Sequence, residues 1–153
     1  MGEKPVSLLP SEAFAAEDAA DLQALWLRLR REPFRTLALV PAGEGLSLAR
    51  FAKALAAAAA VSEREEVQVI DTAALTPEAL SALAAGLRDR ATAGLQIVTL
   101  PSPLGRPQAA LVAGAADAAV LCVRLGESGF AEGKQTVEAV GKDRFVGCVA
   151  LRS

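Results

Sequence analysis

The 153-residue chain contains no histidine and no tyrosine. Histidine is the commonest general base near neutral pH and the commonest metal ligand, so its absence closes the usual routes to an activated nucleophile or a zinc site. Without tyrosine, no tyrosine of this chain can accept a phosphate. Cysteine is scarce: Cys122 and Cys148 each sit inside an apolar stretch. That placement reads as two reduced core thiols, against a disulfide or a metal site. An excess of one charge is missing as well. Sixteen basic and 18 acidic side chains leave a net charge of −2. No field therefore draws the chain to nucleic acid or anionic lipid. The longest apolar run, residues 54–61, is far short of the roughly 20 residues that span a bilayer, so no direct membrane insertion is expected. Residues 1–10 carry Glu3 and Lys4 and no long apolar core, so no signal peptide is expected either.

What is present is apolar. The hydrophobic fraction is 52% and the mean hydropathy is +0.33, in a chain long enough for one domain with a full core. Much of that apolarity is alanine, which packs helices closely but buries little area per residue. Residues 1–10 read as an irregular leader closed by Pro10, and residues 11–153 as a single domain. A first helix begins at Ser11 and Glu12, carries Leu22, Leu25, Trp26 and Leu29 at helical spacing, and stops at Pro33. Arg28, Arg30 and Arg31 at its end suit the negative end of the helix dipole and read as solvated.

An alternating pattern follows. Apolar runs at 36–40, 67–70, 95–100, 119–125 and 145–151 read as strands. Helices are expected at 46–60, from Thr76-Pro77-Glu78 onward with Leu80, Leu83 and Leu87 as its stripe, at 108–116 and at 130–140. Thr76 is the expected cap of the second of these, with Pro77 at the first helical position. Strands that are continuous apolar runs alternating with helices predict a three-layer α/β sandwich with a mostly parallel sheet of about five strands.

In such folds ligands bind beyond the carboxyl ends of the strands. The first of these runs exits into Pro41-Ala42-Gly43-Glu44-Gly45-Leu46-Ser47-Leu48. A phosphate-binding loop needs glycines so that backbone N–H groups can crowd round the anion, a lysine for charge, and an adjacent Ser or Thr for Mg²⁺. Gly43, Gly45 and Ser47 stand in register, while the lysine position is Leu46. Taken alone, the glycines equally suit a tight strand-to-helix turn.

Read along its length, residues 11–152 resemble the cytoplasmic kinase domain of bacterial tyrosine kinases. These are the polysaccharide co-polymerase partners of capsule and exopolysaccharide export, and they belong with the deviant-Walker P-loop ATPases. Ser11-Glu12-Ala13-Phe14 resembles the opening of the family's first helix, and Arg35-Thr36-Leu37 its lead-in to the first strand. Gly43-Glu44-Gly45-x-Ser47 is similar to its phosphate loop, and Val69-Ile70-Asp71 to its second acidic strand end. Leu100-Pro101-Ser102-Pro103 falls where the family has Asp-Thr-Pro-Pro. The run Ala116-Asp117-Ala118-Ala119-Val120-Leu121-Cys122-Val123-Arg124, with Gly126 after it, resembles the next strand. Val146-Gly147-Cys148-Val149 resembles the last.

The departures from the family share a direction. Leu46 replaces the phosphate-loop lysine, Ala73 replaces the second aspartate of the acidic motif, and Leu100 replaces the Walker B aspartate. Asp71 is retained. Ala15 and Asp18 replace the arginines of the first-helix oligomerisation motif, whose Glu12 remains. The tyrosine-rich tail is missing, and the segment between the second and third runs is shortened. Phosphoryl transfer is mostly charge neutralisation and positioning, so these losses compound.

The resemblance thus implies a P-loop NTPase-like fold without kinase or NTPase activity: a pseudokinase or pseudo-ATPase with no catalytic residues, no metal and no cofactor. It implies a role as an interaction or regulatory component of exopolysaccharide synthesis and export. The expected partner is a protein such as a membrane co-polymerase, with homo-oligomers as a further possibility and no nucleic acid. The expected location is cytoplasmic, at the inner membrane face through that partner. The alternative is a divergent deviant-Walker ATPase or positioning protein of cellulose synthesis, pilus assembly or division, with weak nucleotide binding. Remaining candidates have plainer readings. Asp71 is expected to cap the turn toward Thr72. Ser47 lacks a base, with Lys53 six positions on. Ser102 reads as a rigid loop residue, and Glu63, Arg64, Glu65 and Glu66 as a solvated charged loop. Leu46 and Leu100, if both line the old cleft, would give it an apolar surface. Trp26 serves as an interface anchor if exposed, and as core if its helical spacing with Leu22 and Leu29 decides.

Overall fold

The computed structural model describes residues 6–9, 19–89, 94–124 and 130–151. The order of elements is β1 (Val6–Leu9), α1 (Ala19–Leu29), β2 (Thr36–Pro41), α2 (Ala49–Glu63), β3 (Gln68–Asp71), α3 (Pro77–Asp89), β4 (Gln96–Thr99), α4 (Gln108–Ala115), β5 (Ala118–Arg124), α5 (Phe130–Val140) and β6 (Phe145–Leu151). The strands form one sheet in the order β1-β6-β5-β2-β4-β3. Every pairing in it is parallel. The predicted three-layer α/β architecture is present, and its five expected strands are β2 to β6.

The period-two geometry of a strand sorts the core. In β2, Leu37 and Leu39 face one layer while Ala38 and Val40 face the other. The first layer is packed by α1 and α2 through Leu22, Leu25, Trp26, Phe51 and Leu55. The second is packed by α3 and α4 through Leu80, Leu87, Val112 and Ala113, with Val137 and Val140 of α5 half-buried beside them. A strand that feeds both layers favours apolar residues on both faces, which is why β2 reads as a nearly unbroken run, while β4 keeps Ile97 and Val98 at its centre and buries the polar Gln96 and Thr99 at its ends. The two cysteines follow the same rule. Cys122 packs in the first layer and Cys148 against the second, so neighbouring strands carry them on opposite faces as free thiols. Burial pushes both thiols above their ordinary value of 9.0.

Several expectations are corrected. The leader is not irregular throughout, because Val6–Leu9 pairs with β6 from Val6↔Cys148 to Leu9↔Leu151. The helix expected at 46–60 runs from Ala49 to Glu63, starting after Leu48, which caps it without a side-chain hydrogen bond. Its far end is closed by Arg64 in the left-handed region, whose N–H donates to the Ala60 carbonyl. Arg30 is not a solvated helix end. Its guanidinium lies over the Phe34 ring at 4.7 Å and the Trp26 ring at 5.8 Å, and Nε donates to Glu63 at 3.1 Å. Glu63 also accepts the Trp26 indole N–H at 2.8 Å, and Glu65 pairs with Arg35 at 3.2 Å. The charged stretch 63–66 is therefore partly built into the fold. Trp26 is fully buried and belongs to the core. Thr76 caps α3 as expected, its Oγ1 accepting from the Ala79 N–H at 3.1 Å. The expected first-helix start at Ser11 and Glu12, with Phe14, Ala15 and Asp18, lies outside the described residues, as do Leu125 and Gly126.

Candidate functional site

The carboxyl ends of β2, β3 and β4 open onto a cleft of about 420 Å³. Its walls are the glycine loop after β2, Asp71 at the end of β3 with Ala73 beyond it, and the turn at 100–106 after β4. The sequence placed Gly43, Glu44, Gly45, Leu46, Ser47, Asp71, Ala73 and Leu100 at one site, and all of them border this cleft.

The loop leaves the sheet tightly. β2 is extended by one more hydrogen bond, from the Ala42 N–H to the Cys122 carbonyl at 2.9 Å. Gly45 then takes φ +88°, a conformation that a Cβ strongly disfavours. Leu46, Ser47 and Leu48 remain non-helical before α2 begins. Ser47 is exposed and does not cap the helix; Leu48 occupies that place.

Both leucines line the cleft. Leu100 is only 3% exposed, and its side chain joins the layer under α3 and α4. Its N–H donates to the Leu39 carbonyl at 3.1 Å. Leu46 is half-buried and packs toward the opposite layer, under α1 and α2. The expected lining is present, but the two contribute unequally to the cleft surface: Leu100 puts its bulk into the core, while the half-buried Leu46 keeps part of its side chain on the cleft wall.

The polar groups of the cleft are engaged with each other. Asp71 Oδ1 accepts the Thr99 hydroxyl at 2.7 Å and the Ala73 N–H at 3.2 Å. It therefore turns the chain after β3, as an Asx turn does. Thr72 Oγ1 donates to the Thr99 carbonyl at 2.5 Å. Ser102 Oγ accepts the Leu104 N–H at 3.2 Å, and its carbonyl takes the Arg106 N–H at 2.8 Å, which makes it a loop-forming residue.

Three charged side chains missing from the sequence-based site prove central. Arg106 lines the cleft and donates through Nη1 to the Leu75 carbonyl. Arg124, at the end of β5, donates through Nη2 to the Gly45 carbonyl. Glu132 of α5 lies against the loop: a Cβ on Gly43 would come within 2.9 Å of its carboxylate. Glu44 reaches across to the turn after β4 in the same way, and a Cβ on Gly105 would meet its carboxylate at 2.9 Å. A signal for Arg124 was available, since it ends a strand on the ligand-binding side of a parallel sheet. Glu132 carried none, because only the fold brings α5 to the loop.

No protein-family model matches the chain. No curated protein matches it in sequence. Among solved structures, it is similar to the BceF tyrosine kinase domain, with a TM-score of 0.69 and 14% sequence identity over 94% of this chain and 82% of that one. That likeness shows a fold shared with a tyrosine kinase domain. Among the described residues, no helix is long and apolar enough to cross a membrane.

Proposed function

We propose that this chain is a non-catalytic pseudokinase or pseudo-ATPase that keeps its fold for docking. In this reading it regulates or assembles bacterial exopolysaccharide synthesis and export. It engages a protein partner such as a membrane co-polymerase at the inner face of the membrane, and it needs no cofactor.

The observation that carries the reading is the charge around the glycine loop. Leu46 stands where a lysine would meet phosphate, and the carboxylates of Glu44 and Glu132 lie against the loop and its neighbour. A polyphosphate placed there meets the carboxylates of Glu44 and Asp71, with Arg106 as the cation lining the cleft and Arg124 held on the Gly45 carbonyl, while the metal-holding positions are Ala73 and Leu100. Electrostatic stabilisation is the main thing a phosphoryl-transfer site supplies, and its sources are replaced here.

Thermal denaturation with millimolar Mg-ATP or Mg-GTP tests the loss of nucleotide binding. A nucleotide at 100 times its dissociation constant would add about 2.7 kcal/mol of stability. The proposal expects no shift in Tm, and a clear upward shift would overturn it. The process is tested separately by pull-down. Recovery of polysaccharide synthesis or export components supports it, and recovery of pilus or partitioning components sinks it. A weakly binding, divergent ATPase is the second reading. It draws support from Arg106, a cation that already borders the cleft.

A further inference from the structure

Four chain segments meet at the carboxyl end of the sheet: the loops after β2, β3 and β4, and the end of β5. Two arginines tie them in pairs. Arg124 joins the end of β5 to the glycine loop through the Gly45 carbonyl. Arg106 joins the turn after β4 to the loop after β3 through the Leu75 carbonyl. The side chain of Glu44 lies over Gly105, so the two pairs also touch.

We infer that Arg124 and Arg106 form an internal lacing that holds the rim of the cleft in one conformation without any ligand. In a phosphate-binding site the loops are organised around an anion, which receives backbone N–H groups from several of them. In this chain the order is supplied from the other polarity. Guanidinium groups donate to backbone carbonyls of the same loops, and a guanidinium offers five donors in a fixed plane for that purpose. Hydrogen bonds from a charged donor are roughly twice as strong as neutral ones, so one such contact per loop is enough to matter. Gly45 makes the contact possible. At φ +88° its carbonyl is presented in a direction that a residue with a Cβ rarely gives. The inference holds whether or not the domain is a pseudokinase, because it concerns the ligand-free rim alone.

Amide hydrogen exchange on the full chain tests it, because exchange reads local opening segment by segment. Arg124→Gln is expected to speed exchange at least tenfold at Ala42, whose N–H donates to the Cys122 carbonyl at the base of the glycine loop, with little change in β6. Arg106→Gln is expected to do the same at Ala73 and Leu75, whose N–H groups donate to Asp71 Oδ1 and the Thr72 carbonyl, and leave Ala42 nearly as protected as before. Arg124→Lys, which keeps the charge and loses the planar fork, should fall between. Unchanged exchange at Ala42 in Arg124→Gln, or equal loosening across the whole sheet, would overturn the inference. If a variant does not fold, the unsubstituted protein still decides. The guanidinium protons of Arg124 and Arg106 should then exchange slowly enough to be observed at low temperature. Their averaging with solvent, like that of the exposed Arg28, would overturn it.

Discussion

Asp117 and Thr36 hold each other by two hydrogen bonds: the Asp117 N–H donates to the Thr36 carbonyl at 3.0 Å, and the Thr36 N–H donates to Asp117 Oδ2 at 3.1 Å. The same carboxylate oxygen takes the Arg35 N–H at 2.8 Å. Two motifs 81 positions apart in the sequence are thus one structural unit, fixing the starts of β2 and β5 side by side. Replacing Asp117 with Ala removes the acceptor for two backbone amides. Stability is expected to fall by about 1–2 kcal/mol. A lower urea midpoint with an unchanged m-value is the measurement, since a change in m would mean a change in compactness instead.

Trp26 is the only tryptophan, so its fluorescence reports on a fully buried indole. Trp26→Phe keeps much of the ring and loses the N–H that Glu63 accepts. A loss of about 1–3 kcal/mol is expected from the cavity and the missing donor together. A double-mutant cycle with Glu63→Gln should show a coupling of at least about 0.5 kcal/mol, because both residues share one network with Arg30. Strict additivity would contradict the network.

Restoring the lysine should not restore the site. Leu46→Lys moves a half-buried apolar side chain out of its packing and is expected to lower stability by roughly 1 kcal/mol. It places one cation beside Glu44 and leaves Ala73 and Leu100 unchanged, while Asp71 stays engaged with Thr99. Calorimetric titration with Mg-ATP is expected to remain flat. Heat of binding in this variant alone would mean that lysine was the sole missing element.

The cysteines set an alkaline limit. Burial raises the Cys122 thiol well above its ordinary 9.0, and it raises Cys148 as well. The unfolded chain therefore loses these protons at a lower pH than the folded one. The sign follows from linkage: stability is unaffected below the unfolded value and declines once pH exceeds about 9. One thiol contributes a slope of up to about 1.4 kcal/mol per pH unit. Denaturation midpoints between pH 8 and 10.5 should fall, and Cys122→Ala should flatten part of that decline. Native Cys122 should also resist thiol reagents that label Cys148.

Much of this fold was legible in sequence because β2, β4 and β5 are buried along nearly their whole length. A strand under that constraint is mostly apolar, and its run marks itself. Thr76 with Pro77 marked the start of α3 by capping chemistry alone. The cleft was legible because its position follows from strand polarity, so Gly43 to Ser47, Asp71 and Leu100 fell together. What was not legible depended on contacts distant in sequence. Arg30 and Glu63 read as surface charges until α1 and α2 were packed side by side. The start of α2 slipped from 46 to 49 because Leu48 stands at helical spacing with Phe51 and Leu55 although it is the non-helical cap, and Leu46 before it packs from the loop. Glu132 reaches Gly43 only through the crossover that carries α5 over the sheet. The four residues of β1, no fewer than those of β3 or β4, were missed because they run directly into Pro10 and stand apart from the strand–helix alternation.

The partner of β1 gives it a particular history. Its neighbour in the sheet is β6, roughly 140 positions away in the chain, a separation that makes loop closure slow and entropically unfavourable. During synthesis the segment that becomes β1 is made before every other strand of this domain and can find its place only after the last of them. Until then the outer edge of β6 does not exist, and the waiting strand is open to any other exposed edge. Assembly of this domain is therefore sealed late, by the joining of its two most distant strands.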